Sequence, residues 1–263
     1  MKDPFKIDGP TCISFSGGRT SAYMLWRVLQ SNDMVLPPDA VVCFANTGKE
    51  DEATLRFVQD CSEQWNVPIT WLEYRQDGHD QVSFDSASRN GEPFAALIAK
   101  KKYLPNPVAR FCTEELKVKT INRFLKSSGI DDAEMMVGVR ADEPRRIGKL
   151  RARGLLIPLA DDKVTQADVQ SFWSKQPFDL GLKFRDGITA LGNCDLCFLK
   201  GPQQIMALVK DKPERAAWWA NQERAIGATF RSDRPSYREI HQFMDQQADM
   251  FNAEGGAECF CGD

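Results

Sequence analysis

The sequence predicts an α/β protein, with a parallel sheet carrying helices on both faces and a helical C-terminal extension ending in a cysteine tail. Three observations predict it. Short runs rich in β-formers alternate with stretches of helical apolar spacing through the first half of the chain. The connections between them are short, as they are where crossover helices join parallel strands. From Gly192 onward the pattern is mostly helical and ends in the run AEGGAECFCGD.

Each element follows in order. TCISFS is the first strand, and RTSAYMLWRVLQ has helical spacing at Tyr23, Met24, Leu25, Trp26 and Val28. AVVCFANT is a second strand, bounded by Asn-Thr-Gly. DEATLRFVQDCSEQW is an amphipathic helix with acids in its first turn, where the macrodipole favours them. VPITWLEY makes a third strand, and FAALIAKKKYLPNP a helix stopped by Pro105 and Pro107. TEELKVKTINRFLKSSG reads as one helix ending at Gly129, and EMMVGVR as a fourth strand. LLIPLADDKVTQADVQSFW is a strand-like run followed by a helix capped by Thr165. Residues 1–190 are expected to form the α/β domain, with 191–263 a helical extension packed on it.

Composition excludes several classes. Of the 263 residues, 42% are hydrophobic and 27% charged, which is ordinary for a globular chain. A net charge of −3 gives no global basic field, so an anionic ligand must be held by a local cluster. No apolar run reaches the length of a membrane span, and residues 1–10 lack a signal peptide's apolar region. The expectation is a cytoplasmic protein with reduced thiols. Of eight cysteines, Cys12, Cys43 and Cys61 lie in apolar or amphipathic runs and read as core. Cys112, Cys194, Cys197, Cys259 and Cys261 remain for metal or redox chemistry. His79 and His241 lie in polar contexts and read as surface residues, and Trp218 and Trp219 read as core.

The stretch SFSGGRTSAYM is an anion cradle. Glycines let the backbone approach a ligand, and the helix that follows aims its first N–H groups at it. Ser16 and Ser21 add hydroxyls, and Arg19 adds a fixed charge. The loop resembles the Ser-Gly-Gly-x-x-Ser pyrophosphate loop of the adenine nucleotide alpha-hydrolase superfamily. VVCFANTGKEDEATLRFV, GVRADEPRR and the Asp-Val-containing helix resemble, in the same order, segments of its phosphoadenosine phosphosulfate (PAPS) reductase branch. The similarity runs from about Cys12 to Lys200.

The resemblance implies a Rossmann-like sheet with an adenine nucleotide at its C-terminal edge. It implies that Ser16, Gly17, Gly18, Arg19, Thr20 and Ser21 hold phosphate or sulfate, and that Asn46, Thr47 and Gly48 lie near the adenosine. Arg140, Arg145 and Arg146 would reach phosphate or sulfonate groups, with Glu143 orienting an arginine. Lys117 and Lys119 are expected either to assist the anion site or to lie on a solvated helix face.

Cys194-x-x-Cys197 is spaced to grip one metal. Cys112 falls where cluster-bearing reductases have a Cys-Cys pair, with Thr113 in the second position. Sulfur ligation by Cys112, Cys194, Cys197 and Cys261 suits iron or zinc alike, and the resemblance implies a 4Fe-4S cluster, with zinc the rival metal at the same sulfurs. Cys259 is then the nucleophile, swung by Gly255 and Gly256. Related reductases end in Glu-Cys-Gly, which Phe260 splits in this chain.

The leading expectation is thiol-dependent reduction of a sulfonucleotide to sulfite, with a thioredoxin-like or other electron donor. The alternative is an ATP-pyrophosphatase-type enzyme that adenylates a substrate for sulfur transfer, with Mg²⁺ required and nucleic acid as a partner only in that case. A third reading is a non-catalytic nucleotide-binding iron–sulfur redox sensor.

Overall fold

The computed structural model describes residues 2–130, 132–185, 188, 189, 191–243 and 246. The chain divides into two compact units, one of residues 1–97 with 111–195 and the other of 98–110 with 196–263.

The first unit is built on a five-stranded sheet. Its strands are β1 (Thr11–Phe15), β2 (Ala40–Asn46), β3 (Ile69–Arg75), β4 (Gly78–Val82) and β5 (Glu134–Val137), in the order β4-β3-β2-β1-β5. The four strands expected from the sequence are parallel, and β1 pairs with both β2 and β5. β4 corrects the all-parallel expectation. It is an antiparallel edge strand, GHDQV, returning from β3 through a tight turn. Its polar residues give no apolar alternation, so periodicity could not reveal it.

Strand pleating sorts the core into two layers. Ile13, Phe15, Val42 and Phe44 face one side. There they pack with Leu25 and Val28 of α1 (Arg19–Ser31), Phe57 of α2 (Glu52–Gln64) and Trp173 of α8 (Gln166–Trp173). Cys12, Cys43, Ala45 and Leu72 face the other side, under Ile121, Phe124 and Leu125 of α5 (Thr120–Ser127). Helices therefore cover both faces, as expected. Cys12, Cys43 and Cys61 are all buried. A hydrogen bond with Cys12 and burial push the Cys43 thiol far up, and burial pushes up Cys61. These thiols are packing groups.

Between α3 (Glu92–Lys101) and α5 the chain departs from the single expected helix. A short turn α4 (Phe111–Thr113) leads into a π-helical segment, Glu114–Lys119. The Thr120 hydroxyl donates to the Glu115 carbonyl at 2.9 Å where the wider ladder closes.

After β5 come α6 (Pro144–Arg151) and the short α7 (Pro158–Asp161). The strand-like run before Pro158 reduces to one bridge, Leu156 with Met136. Pro158 then occupies the first turn of α7 in place of a continued strand. Thr165 does cap α8. Its hydroxyl and its N–H both donate to Asp168, at 2.6 and 2.8 Å, in a full capping box. Thr165→Ala is expected to cost about 1 kcal/mol. That corresponds to a fall of about 2–4 °C in melting temperature, read by calorimetry. A two-stranded ribbon, β6 (Phe184–Arg185) with β7 (Ile188–Thr189), follows.

The second unit contains α9 (Pro202–Asp211) and α10 (Glu214–Ile226) around an aromatic cluster. Trp219 lies 5.0 Å from Phe230 and 5.2 Å from Tyr237 between ring centroids, and Phe198 stacks on Phe230 at 5.7 Å. Trp219 is fully buried, and Trp218 meets its edge at 5.1 Å. Among the described residues no helix is long and apolar enough to cross a membrane.

Candidate functional site

The chain runs from β1 outward through β2 to β3, then returns to place β5 on the other side of β1. The direction of progression reverses at β1, and α/β sheets open a ligand crevice at such a point, beyond the strand C-termini. A cleft of about 600 Å³ lies there. Its walls include Ser16 to Thr20 from the loop after β1, Glu50 and Thr54 beside α2, and Gly138, Arg140 and Glu143 after β5. Trp173 and Asp179 close a further side.

The loop after β1 is held open by its own side chains. Ser21 is buried; its hydroxyl donates to the Gly18 carbonyl at 2.9 Å, accepts from the Ser16 N–H at 3.1 Å and meets the Ser16 hydroxyl at 2.9 Å. With its bonding capacity used, Ser21 braces the loop while Ser16 is the exposed hydroxyl. Gly18 caps α1 with no side-chain bond, and the first turn carries no acid, so its amides are left for a ligand. Gly17 has φ +75°, and Gly138 comes within about a methyl's width of Ser21, where a Cβ would lie 3.0 Å from the Ser21 Cα.

The arginines of this cleft are paired. Arg19 donates from Nε to Asp179 at 2.6 Å, from Nη2 to the same carboxylate, and from Nη2 to the Leu182 carbonyl at 3.3 Å. Arg140 donates from Nε to Asp142 at 2.8 Å and from Nη1 to the Thr20 hydroxyl at 3.3 Å. Glu143 accepts from the Arg140 N–H at 3.1 Å and from Arg146 Nη1 at 2.6 Å. It thus sits where an arginine-orienting residue was expected. Arg145 is exposed on α6 and outside the cleft wall.

Burial opposes ionisation of Asp179, but Arg19 and the Leu180 and Gly181 amides outweigh it and hold the carboxyl below its ordinary range. The Arg19–Asp179 pair is therefore present above the ordinary carboxyl value and is lost as pH falls through the lowered one. Asp179→Asn releases the Arg19 guanidinium to an anion. We expect polyphosphate binding to tighten about five- to tenfold by calorimetric titration; unchanged or weaker binding would make Asp179 a structural brace only.

Asn46, Thr47 and Gly48, expected near an adenosine, lie at the end of β2. They form a turn whose polar groups are spent internally. Asn46 donates to Glu73 at 2.7 Å and to the Ser88 carbonyl at 2.8 Å, and accepts from Gly48 N–H at 3.1 Å. Thr47 donates through N–H and hydroxyl to Glu50 at 2.9 and 2.7 Å.

Sequence reasoning missed the residue this turn serves. Glu50 is in the cleft wall, with 1% of its side chain exposed, and its carboxylate accepts from Thr47 and pairs with Lys117 Nζ at 3.3 Å. The π-helical segment carries Lys117 to that point. Burial would lower the Lys117 pKa, but Glu50, Cys194 and Cys112 together raise it. Cys194 Sγ lies 3.6 Å from the Thr47 hydroxyl, and Cys194 bridges Glu50 in an antiparallel pair. The signal for Glu50 was its place in GKE; its pairing across 67 residues was not visible in one dimension.

No group of three metal-ligating side chains occurs among the described residues. Cys112 and Cys194 belong to the first unit and Cys197 to the second, while Cys259 and Cys261 lie outside the described residues. Lys119 pairs with Glu115 at 3.1 Å and His79 stacks edge-on at Phe124, 5.7 Å away.

No family model matches the chain. It is 30% identical over 217 residues to the uncharacterized nin region protein ORF290 of Escherichia phage lambda, covering 76% of this chain and 69% of that protein. The chain belongs to the ORF290 family. The uncharacterized protein MJ0066 of Methanocaldococcus jannaschii is 29% identical over 138 residues, which is 52% of this chain and 24% of that protein. Among solved structures, the U34-tRNA thiolase NcsA from Methanococcus maripaludis, with its 4Fe-4S cluster, aligns at a TM-score of 0.41 and 15% identity. That alignment covers 100% of this chain and 77% of that one.

Proposed function

We propose that the protein is an ATP-using enzyme of the adenine nucleotide alpha-hydrolase type that adenylates a substrate. In the reaction a substrate oxygen attacks the α-phosphorus of ATP. The new bond is O–Pα, the bond broken joins Pα to the α,β-bridging oxygen, and pyrophosphate leaves with that electron pair. The loop amides of α1 hold the polyphosphate, the Ser16 hydroxyl joins them by turning its proton from Ser21 to phosphate, and Arg140, held by Thr20 and Asp142, lines the wall beside them.

The observation that carries this reading over sulfonucleotide reduction is the charge balance of the cleft. Arg19, Arg140 and Arg146 are each matched by a carboxylate, and Glu50 adds another acid to the wall. Paired guanidinium groups offer little to any nucleotide anion that arrives alone, so the acids of the wall favour one that arrives with a cation. ATP arrives with Mg²⁺, and carboxylates are the ligands that such a cation takes. The reductase reading depends on Cys259, outside the described residues.

Cys194 fits a thiolate-held centre, because it bridges Glu50, the partner of Lys117. Both Cys194 and Cys112 raise the Lys117 pKa, so a positive charge that favours thiolate acts on them. Cys197 and Cys261 would complete the set, for a 4Fe-4S cluster or for zinc. A bound cluster would supply redox-active iron able to hold sulfide. Lys117 would balance the thiolates, and Glu50 would tie that balance to the cleft.

The test is to give the anaerobically purified protein MgATP, and separately an adenylyl sulfate with a dithiol. With water taking the place of the substrate oxygen at the α-phosphorus, equimolar AMP and pyrophosphate, abolished by chelating Mg²⁺, are expected. ADP with phosphate, or sulfite from the sulfonucleotide, would overturn the reading. Metal analysis with the visible spectrum decides between iron and zinc, and Cys112→Ser should lower the bound metal.

A further inference from the structure

One buried ion pair stands apart from the polyphosphate cradle. Lys49 Nζ lies 3.1 Å from Asp195 Oδ2, with the two side chains 8% and 10% exposed. The backbone repeats the link, since the Asp195 N–H donates to the Lys49 carbonyl at 2.7 Å. One residue along, Glu50 and Cys194 form an antiparallel bridge, and the Thr47 hydroxyl lies 3.6 Å from Cys194 Sγ. Residues 49–50 and 194–195 are thus joined by backbone pairing and by a pair of charges, and all four belong to the first unit.

Each half of this joint touches the cleft. Glu50 is in its wall, and so are Gly192 and Asn193, which lead directly into Cys194. The Gly192 N–H donates to the carbonyl of Thr189, another wall residue, at 3.1 Å, and Asn193 turns the chain with φ +62°. The wall therefore ends at a cysteine. A buried ion pair stabilises little more than an apolar pair of the same volume, and its best-attested use is to fix a register. The register fixed in this fold is that of Cys194 against Glu50. Slipping the segment by one residue would part Asp195 from Lys49 and leave two nearly inaccessible charges uncompensated.

We propose that Lys49 and Asp195 are positioning residues that make the Cys194 segment a wall of the nucleotide cleft, so that nucleotide in the cleft and metal on the Cys194 thiolate raise each other's affinity. The nucleotide and the metal rest on the function proposed above; the joint itself does not. Both ligands select the same arrangement of residues 192–195. A ligand that binds only the joined arrangement stabilises it for the other, and the effect is reciprocal. Polyphosphate and thiolate are both anionic, and Lys49 and Lys117 neutralise the acids of the joint, so these add no further repulsion. The coupling makes ATP binding respond to whether the sulfur-ligated centre is loaded.

The experiment is calorimetric titration of the full chain with MgATP, first as purified anaerobically and then after a chelator has removed its metal and been dialysed away. The metal-loaded protein is expected to bind MgATP about tenfold more tightly than the stripped one. In the stripped protein, MgATP should slow alkylation of Cys194 by iodoacetamide about fivefold, read by peptide mass spectrometry. Lys49→Met combined with Asp195→Leu keeps the joint packed without its charges. That double variant should melt like the parent, yet bring its two MgATP affinities together and lose the protection of Cys194. Lys49→Arg should keep both effects. Equal MgATP affinity in the loaded and stripped parent would overturn the coupling and leave the adenylation reading. Full protection of Cys194 in a double variant that melts like the parent would overturn the positioning role. No MgATP binding to either form would remove the adenylation reading and the coupling with it, and a chain that holds neither iron nor zinc would remove the coupling alone.

Discussion

Gly17→Ala is expected to abolish nucleotide binding and to lower stability by about 2–5 kcal/mol. Two independent penalties meet at this residue. Its φ of +75° lies in the left-handed region that an alanine adopts only with strain. A Cβ would also stand 2.6 Å from the Thr54 methyl and 3.2 Å from the Phe44 ring. Neither neighbour yields easily, since Thr54 is buried at the start of α2 and Phe44 is fully buried in β2. The loop must therefore move, and with it the amides aimed into the cleft. Calorimetric titration with MgATP and a thermal melt are the measurements. Binding within threefold of the parent would show that the loop does not hold the polyphosphate.

The second large effect concerns Glu50 and Lys117. Lys117→Met leaves the nearly inaccessible Glu50 carboxylate without its counter-charge, and should cost about 3–5 kcal/mol in denaturant unfolding. Glu50→Gln alone should cost less, because Lys117 is partly exposed and reaches water, while the Gln oxygen still accepts from Thr47. The double variant is expected to recover much of the loss, with an interaction free energy above about 1 kcal/mol in the cycle. Simple additivity would mean that the two charges do not act as a unit. The double variant should nonetheless bind MgATP more weakly, because Glu50 also lines the cleft.

What could be read in advance was set by local rules. The alternation of β1, α1, β2, α2 and β3 follows from apolar periodicity, and the Thr165 cap from its spacing to Asp168. The anion loop was legible because a strand, glycines and a helix start are contiguous in the chain. β4 was hidden because its pairing with β3, not its polar sequence, makes it a strand. The π-helical segment was hidden for a related reason. EELKVK reads as ordinary helix, and the widened ladder depends on what Glu115 and Lys117 meet elsewhere.

The candidate site divides along the same line. Gly17, Gly18 and Ser16 act through backbone and hydroxyl groups that their own segment positions, and the sequence by itself determined that they form an anion cradle. Whether Arg19 and Arg140 present open charge was decided in three dimensions, for Arg19 by Asp179, 160 residues away, and for Arg140 by Asp142 together with the Thr20 hydroxyl. The motif named Asn46 and Thr47, but their partners Glu73, Ser88 and Glu50 follow from the fold, because buried polar groups must be satisfied. Cysteine spacing named Cys194 and Cys197; that Cys194 bridges Glu50 was decided by the fold. Local conformation is written in neighbouring residues, whereas charge pairing is a long-range property that the chain acquires only when it folds.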